Sequence, residues 1–175
     1  MVKAKKAIFF DRDGTLIKTK ISNDNKPLAI KKLNECIIFP SVKKILNKLK
    51  KNFLIFVITN QPDVANKKNL KLNVIRVNNH LKKILPIKEF FVCYCNNDKC
   101  KFRKPNIGMI LKAKKKYNLD LENSYVIGDR WKDVDAGNKA GCITILLDKQ
   151  YNEKLNTIPD YTINYFYNLQ KLFKI

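Results

Sequence analysis

Residues 7–15 read Ala7-Ile8-Phe9-Phe10-Asp11-Arg12-Asp13-Gly14-Thr15. The unbroken apolar run Ala7 to Phe10 predicts a short buried strand, and the switch to Asp and Gly predicts a turn where that strand stops. Working outward, strand and helix alternate. Pro40 and Ser41 open a helix to about Lys51, with Val42, Ile45, Leu46 and Leu49 on one face. Phe53 to Thr59 is continuously apolar, as expected of a central parallel strand, and the helix after it, Asn69 to Leu85, stops before Pro86. Further strands are expected at Phe90–Cys95, Ser124–Ile127 and Cys142–Leu147, with helices at Ile107–Tyr117 (core positions Ile107, Ile110, Leu111 and Ala113) and Trp131–Ala140. Residues 15–39, with Pro27 and several Asn, suggest an irregular insertion or hairpin, and residues 152–175 a last strand and helix. Alternating βα units of this kind imply an α/β fold, a doubly wound parallel sheet with helices on both faces.

The totals are compatible with that fold. A chain of 175 residues suits one domain, residues 1–175, because a chain of this length buries roughly 70% of its unfolded surface. No stretch approaches the ~20 apolar residues that span a membrane. The start lacks a signal-peptide pattern, so a soluble cytoplasmic protein is the simplest reading. The net charge of +21 invites thoughts of nucleic acid, but the lysines are spread along the whole chain and no RNA-binding or helix-turn-helix signature accompanies them. A solvated surface is the better account, and nucleic acid is not an expected partner. The few arginines are Arg12, Arg76, Arg103 and Arg130. In a chain that otherwise uses Lys, they point to a need for the rigid guanidinium fork that grips phosphate or carboxylate.

In doubly wound sheets ligands bind beyond the carboxyl ends of the strands. Asp11-Arg12-Asp13-Gly14-Thr15, Thr59-Asn60-Gln61, Arg103-Lys104-Pro105, and Gly128-Asp129-Arg130 with Asp133 all fall there. Each cluster alone has a plain reading: Asp-x-Asp-Gly is also a turn, and Asp129 with Asp133 is also a helix start. Together they collect carboxylates, a hydroxyl and cations at one edge, as magnesium and a phosphoryl group require.

The ordered motifs Phe10–Leu16, Val57–Gln61, Arg103–Pro105 and Val126–Arg130 with Asp133 resemble those of the haloacid dehalogenase (HAD) superfamily, subgroup IIIA, from about Ala7 to Leu147. The resemblance implies a magnesium-dependent phosphatase acting through an aspartyl phosphate. Asp11 would be the nucleophile, Asp13 the general acid and base, Thr59 and Lys104 the partners of the phosphoryl group. Asp11, Asp129 and the main chain of Asp13 would hold magnesium, and Asp133 would orient Lys104 or metal-bound water. His80, the only histidine, has no part in such a scheme.

Cys93-Tyr94-Cys95 and Cys100, immediately before Arg103-Lys104-Pro105, resemble the structural zinc loop of a subgroup that includes heptose 1,7-bisphosphate and histidinol-phosphate phosphatases. Cys95 stands where that pattern has His, and Phe102 where it has the last Cys. Structural zinc takes four protein ligands, so Cys93, Cys95 and Cys100 would need a further donor such as Asp98, or would bind the metal weakly, or would pack without it. Cys36 and Cys142 are expected as small buried hydrophobes. The resemblance also implies that Asn60 and Gln61 read the substrate, that Arg103 and Arg130 grip a second phosphate or sugar hydroxyls, and that no large cap domain covers the site. The expected activity is release of the 7-phosphate of a D-glycero-D-manno-heptose 1,7-bisphosphate by a monomer. Histidinol phosphate, a 3′-phosphorylated nucleic acid, or non-catalytic nucleic-acid binding are the alternatives.

Overall fold

The computed structural model describes residues 4–65 and 67–175. The run that opens the argument is β1 (Ala7–Phe10), every residue of it buried. Its side chains alternate between two cores. Ile8 and Phe10 face one that includes Ile45, Leu46, Val77, Leu81 and Leu169, whereas Ala7 and Phe9 face another that includes Met109, Ile110, Ala113 and Ala136. Burial of a Phe or Ile side chain stabilises the fold by about 1.5–3 kcal/mol, so both helical layers are held to this strand.

Around β1 lie β4 (Leu54–Asn60), β5 (Glu89–Cys93), β6 (Tyr125–Gly128), β7 (Ile143–Leu147) and β8 (Tyr161–Ile163); a separate two-stranded hairpin, β2 (Lys20–Ile21) with β3 (Pro27–Leu28), follows β1. The order across the main sheet is β5-β4-β1-β6-β7-β8, all parallel. Helices α1 (Val42–Leu49), α2 (Lys68–Ile84) and the short α5 (Leu169–Leu172) contribute to the first core, α3 (Gly108–Tyr117) and α4 (Trp131–Lys139) to the second. The chain builds outward from β1 through β4 to β5, then returns to β6 on the other side of β1. That reversal opens a crevice at the carboxyl ends of β1, β4 and β6.

The expected elements are present with shifted ends. The β4 ladder runs on to pair Asn60 with Cys93. Strand β5 stops there, two residues earlier than expected, because the chain turns into the cysteine loop. Helix α1 starts at Val42, since Ser41 takes a left-handed conformation at φ 71°. In α3 the buried stripe is Met109, Ile110 and Ala113, while Leu111 is exposed and Ile107 caps the helix. Cys142 is buried but Cys36 only half-buried, packed against the first core. His80 is exposed on α2. Among the described residues no helix is long and apolar enough to cross a membrane. The segment between β1 and α1 holds only the hairpin and a short 3-10 turn.

Candidate active site

The turn after β1 is tight: the amides of Leu16 and Ile17 both donate to the carbonyl of Arg12, and Gly14 donates to Ile17. Gly14 has φ +84°, and a Cβ there would lie 1.9 Å from Asp129 Oδ2 and 2.9 Å from the Tyr151 hydroxyl. Glycine is therefore required for backbone conformation and for the approach of Asp129. At Gly128 close approach alone excludes a side chain, since Asp133 Cγ would lie 2.2 Å from an added Cβ.

These turns bring Asp11, Asp129 and Asp133 together, with one carboxylate oxygen of each within 4.8 Å of the others. All are buried. Burial, and then the charges of Asp11 and Asp133, push the Asp129 carboxyl well above its ordinary pKa. Burial raises Asp133 too, with Lys104 pulling the other way. The single ammonium among them is Lys104, 3% exposed, which donates to Asp11 Oδ1 at 2.8 Å, to Asp133 Oδ1 at 2.5 Å and to the carbonyl of Ile58 at 2.8 Å. Burial alone would lower its pKa, but Asp11 and Asp133 outweigh that and hold it above the usual value. Three buried carboxylates share one cation, an arrangement with room for a divalent ion. The donor set is all oxygen, which suits magnesium.

Asp129 is held by Thr15 Oγ1 at 3.2 Å and by the Tyr151 hydroxyl at 2.8 Å. Burial and the charges of Asp129 and Asp11 keep Tyr151 protonated, hence a donor. Tyr151 was not singled out by its sequence. It lies beyond the end of β7, and applying the strand-end rule to that strand also would have found it. Asp13 Oδ2 accepts from Arg12 at 2.9 and 3.1 Å and from Gln61 Nε2 at 2.7 Å. Its other oxygen, Oδ1, is buried with no partner. A buried acceptor without a donor is costly, and Asp13 lines a cleft of about 460 Å³ with Asp11, Thr59 and Lys104.

The four sequence clusters do converge, but several residues have partners within the protein. Asn60 donates through Nδ2 to the Lys104 carbonyl and accepts from the Lys104 amide, at 2.9 and 3.0 Å. Gln61 Nε2 donates to Asp13 and to Thr59 Oγ1. The resemblance implies that both amides read the substrate; in the structure Asn60 lines the cleft while bonded to the Lys104 backbone, and Gln61 Nε2 is bonded to Asp13 and Thr59. Arg103 binds Asp98 at 2.8 Å and the Cys95 carbonyl at 3.1 Å, bracing the cysteine loop. Arg130 lines the cleft but its guanidinium is paired with Glu153. Arg12, fully buried, clamps Asp13 and Asn78, so the guanidinium fork is used on a carboxylate.

Cys93, Cys95 and Cys100 also place their sulfurs within 4.8 Å of one another. Phe102 packs on the second core and offers no ligand. Asp98, 81% exposed, gives its carboxylate to Arg103.

A parallel sheet with acidic residues gathered at its switch point is the fold of the HAD-type phosphatases. Solved structures with this fold include the D,D-heptose 1,7-bisphosphate phosphatase of B. bronchiseptica complexed with magnesium and phosphate (TM-score 0.71, 22% identity, 97% of this chain and 99% of that one). A putative HAD-like phosphatase from Mesorhizobium loti is another (TM-score 0.72, 21% identity, 98% and 85%). The chain belongs to the family described as Polynucleotide kinase 3 phosphatase, which it matches over residues 6–157. Curated relatives include the D-glycero-alpha-D-manno-heptose-1,7-bisphosphate 7-phosphatases of Campylobacter jejuni, 31% identical over 81% of each chain, and Photorhabdus laumondii, 33% identical over 78% of each. The bifunctional histidine-biosynthesis protein HisB of Blochmanniella floridana is 31% identical over 78% of this chain and 39% of its own. The enzyme class expected from the motifs, a phosphoric monoester hydrolase of HAD type, is that of these relatives.

Proposed function

We propose that the chain is a magnesium-dependent phosphatase that removes the 7-phosphate of a D-glycero-D-manno-heptose 1,7-bisphosphate. The observation that carries this reading is the buried set of Asp11, Asp129 and Asp133 around the one ammonium of Lys104, next to the unpartnered oxygen of Asp13. Lys104 engages Asp11 Oδ1, which leaves Oδ2 to attack phosphorus and form an aspartyl phosphate. Asp13, oriented by Arg12 and Gln61 through Oδ2, carries the transferable proton on Oδ1: it protonates the leaving oxygen and then takes a proton from the attacking water. Thr59 Oγ1 accepts from Gln61, so its own hydrogen is available to a phosphoryl oxygen, and Lys104 offsets charge on the transferring group. Asp11 and Asp129, with the Asp13 carbonyl, would hold magnesium, whose charge would neutralise both carboxylate and phosphoryl oxygens. Asp133 fixes Lys104. The relatives named for heptose bisphosphate cover about four-fifths of the chain, which supports the substrate.

To this reading belong a monomeric state and a cytoplasmic location, the latter supported by five free cysteines. Cys93, Cys95 and Cys100 would be the residues to hold zinc in the thiol loop, weakly for want of a fourth protein ligand. Specificity constants with magnesium for heptose 1,7-bisphosphate, histidinol phosphate and a 3′-phosphorylated oligonucleotide test the substrate. Preference for either of the last two by tenfold or more would replace it.

A further inference from the structure

The carboxylates gathered at the crevice are not balanced alike. Asp11 and Asp133 share the Lys104 ammonium, whereas Asp129, among the described residues, has no cation within ion-pair distance. Its side-chain partners are neutral hydroxyls, Thr15 on Oδ1 and Tyr151 on Oδ2, the latter the shorter contact at 2.8 Å. A neutral donor fixes the direction of a carboxylate without cancelling its charge, where a Lys or Arg in the same place would compete with a bound cation. Tyr151 is half-buried in the loop after β7, and the hairpin clasps that loop. Asn25 Nδ2 donates to the Gln150 carbonyl at 2.8 Å, and the Asn152 amide donates to the Asn25 carbonyl at 3.1 Å. On the other side the Glu153 amide donates to the Tyr151 carbonyl at 2.7 Å, and Glu153 pairs with Arg130, the residue after Asp129. The same hairpin supplies Pro27 and Leu28 to the wall of the cleft that contains Asp11. One hairpin therefore bounds the cleft and braces the tyrosine that holds Asp129.

We propose that Tyr151 is a positioning residue for magnesium: its hydroxyl orients the Asp129 carboxylate for the ion, and the clasp of Asn25 keeps Tyr151 within reach. This rests on the phosphatase reading, in which Asp129 is a magnesium ligand. Tyr151 does not line the cleft that contains Asp11, so it acts through Asp129 on the affinity for the ion and leaves the chemical step to Asp11 and Asp13. Loss of a hydrogen bond to a metal-binding side chain costs roughly 10- to 100-fold in metal affinity.

The test titrates magnesium into the metal-free full chain by isothermal calorimetry, comparing wild type with Tyr151→Phe and Asn25→Gly. The first variant removes only the hydroxyl. The second removes the Asn25 amide and still accommodates the left-handed backbone there, at φ 54°. The Kd for magnesium should rise about tenfold or more in Tyr151→Phe and about threefold in Asn25→Gly. With p-nitrophenyl phosphate, the magnesium concentration giving half the maximal rate should rise in step, while kcat at saturating magnesium changes by less than about threefold. The melting temperature of metal-free Tyr151→Phe should stay within about 4 °C of wild type; a larger fall makes the residue a structural one and overturns the proposal. Unchanged or tighter magnesium binding in Tyr151→Phe overturns it too, and an unchanged Kd in Asn25→Gly overturns the part given to the hairpin. Turnover of p-nitrophenyl phosphate by wild type reports the phosphatase reading separately. Were that turnover absent, the titrations would still decide the role of Tyr151, and a wild type that binds no magnesium would overturn it.

Discussion

Two triads of potential metal ligands lie on neighbouring loops, and both keep their three donor atoms within 4.8 Å. They differ in what the protein must do to keep them. Asp11 and Asp129 at strand ends and Asp133 in the first turn of α4 are all buried, repel one another, and are held by Lys104, Thr15 and Tyr151. Cys93, Cys95 and Cys100 range from buried to half-buried, and burial pushes the Cys93 thiol up to about 12. Neutral thiols pack as small hydrophobes and tolerate an empty centre. Crowded carboxylates tolerate it poorly, so a cluster of them is the stronger sign of a cation.

The contrast is broken most forcefully at Asp11, the proposed nucleophile. Asp11→Asn should reduce magnesium-dependent phosphate release by on the order of 10⁴-fold or more while circular dichroism stays unchanged; undiminished turnover would remove the covalent mechanism. Next comes Lys104→Met, which strips Asp11 and Asp133 of the ammonium they share and should cost about 3–5 kcal/mol of stability along with most of the activity. Urea unfolding measures the first effect. If stability were unaffected, the buried charges would not be coupled as the geometry implies.

On the thiol side, Cys100→Ser should alter kcat by less than about threefold and stability by about 1 kcal/mol or less, because Arg103 and Asn106 already brace the loop. A loss approaching that of Lys104→Met would mean that metal in the loop positions Lys104. Metal analysis of protein purified without chelator accompanies this test, with sub-stoichiometric zinc expected. The smallest effect concerns a half-buried carboxylate with a partner. Glu35, bonded to Lys20 at 2.5 Å and to two backbone amides, has its pKa lowered from 4.5 to about 2. The folded value lies below the unfolded one, so the stabilisation is present above pH 4.5 and is lost as the pH falls toward about 2. The melting temperatures of wild type and Glu35→Gln should therefore differ slightly at neutral pH and converge in acid, and a constant difference would contradict the pairing.

Much of this architecture is legible from runs and punctuation. The strands read as apolar stretches ending in Asp, Thr or Gly, and the strand-end rule collects Asp11, Asp13, Thr59, Lys104 and Asp129 from the sequence. What stayed hidden is pairing. Nothing in the order Thr59-Asn60-Gln61 says that one amide will seize the backbone of Lys104 and the next the carboxylate of Asp13, since both contacts span more than forty residues. The partners of Arg12 and Arg130 were hidden for the same reason: Asn78 and Glu153 lie in stretches with no motif of their own. Helix ends slipped where a single residue, such as Ser41, took an unusual backbone angle.

The grip of Asn60 on both backbone polar groups of Lys104 insulates one region from the other. A change in the cysteine loop upstream of that grip need not displace the ammonium bonded to Asp11. Inheritance can thus rewrite the rim of this enzyme without reopening the question of its chemistry.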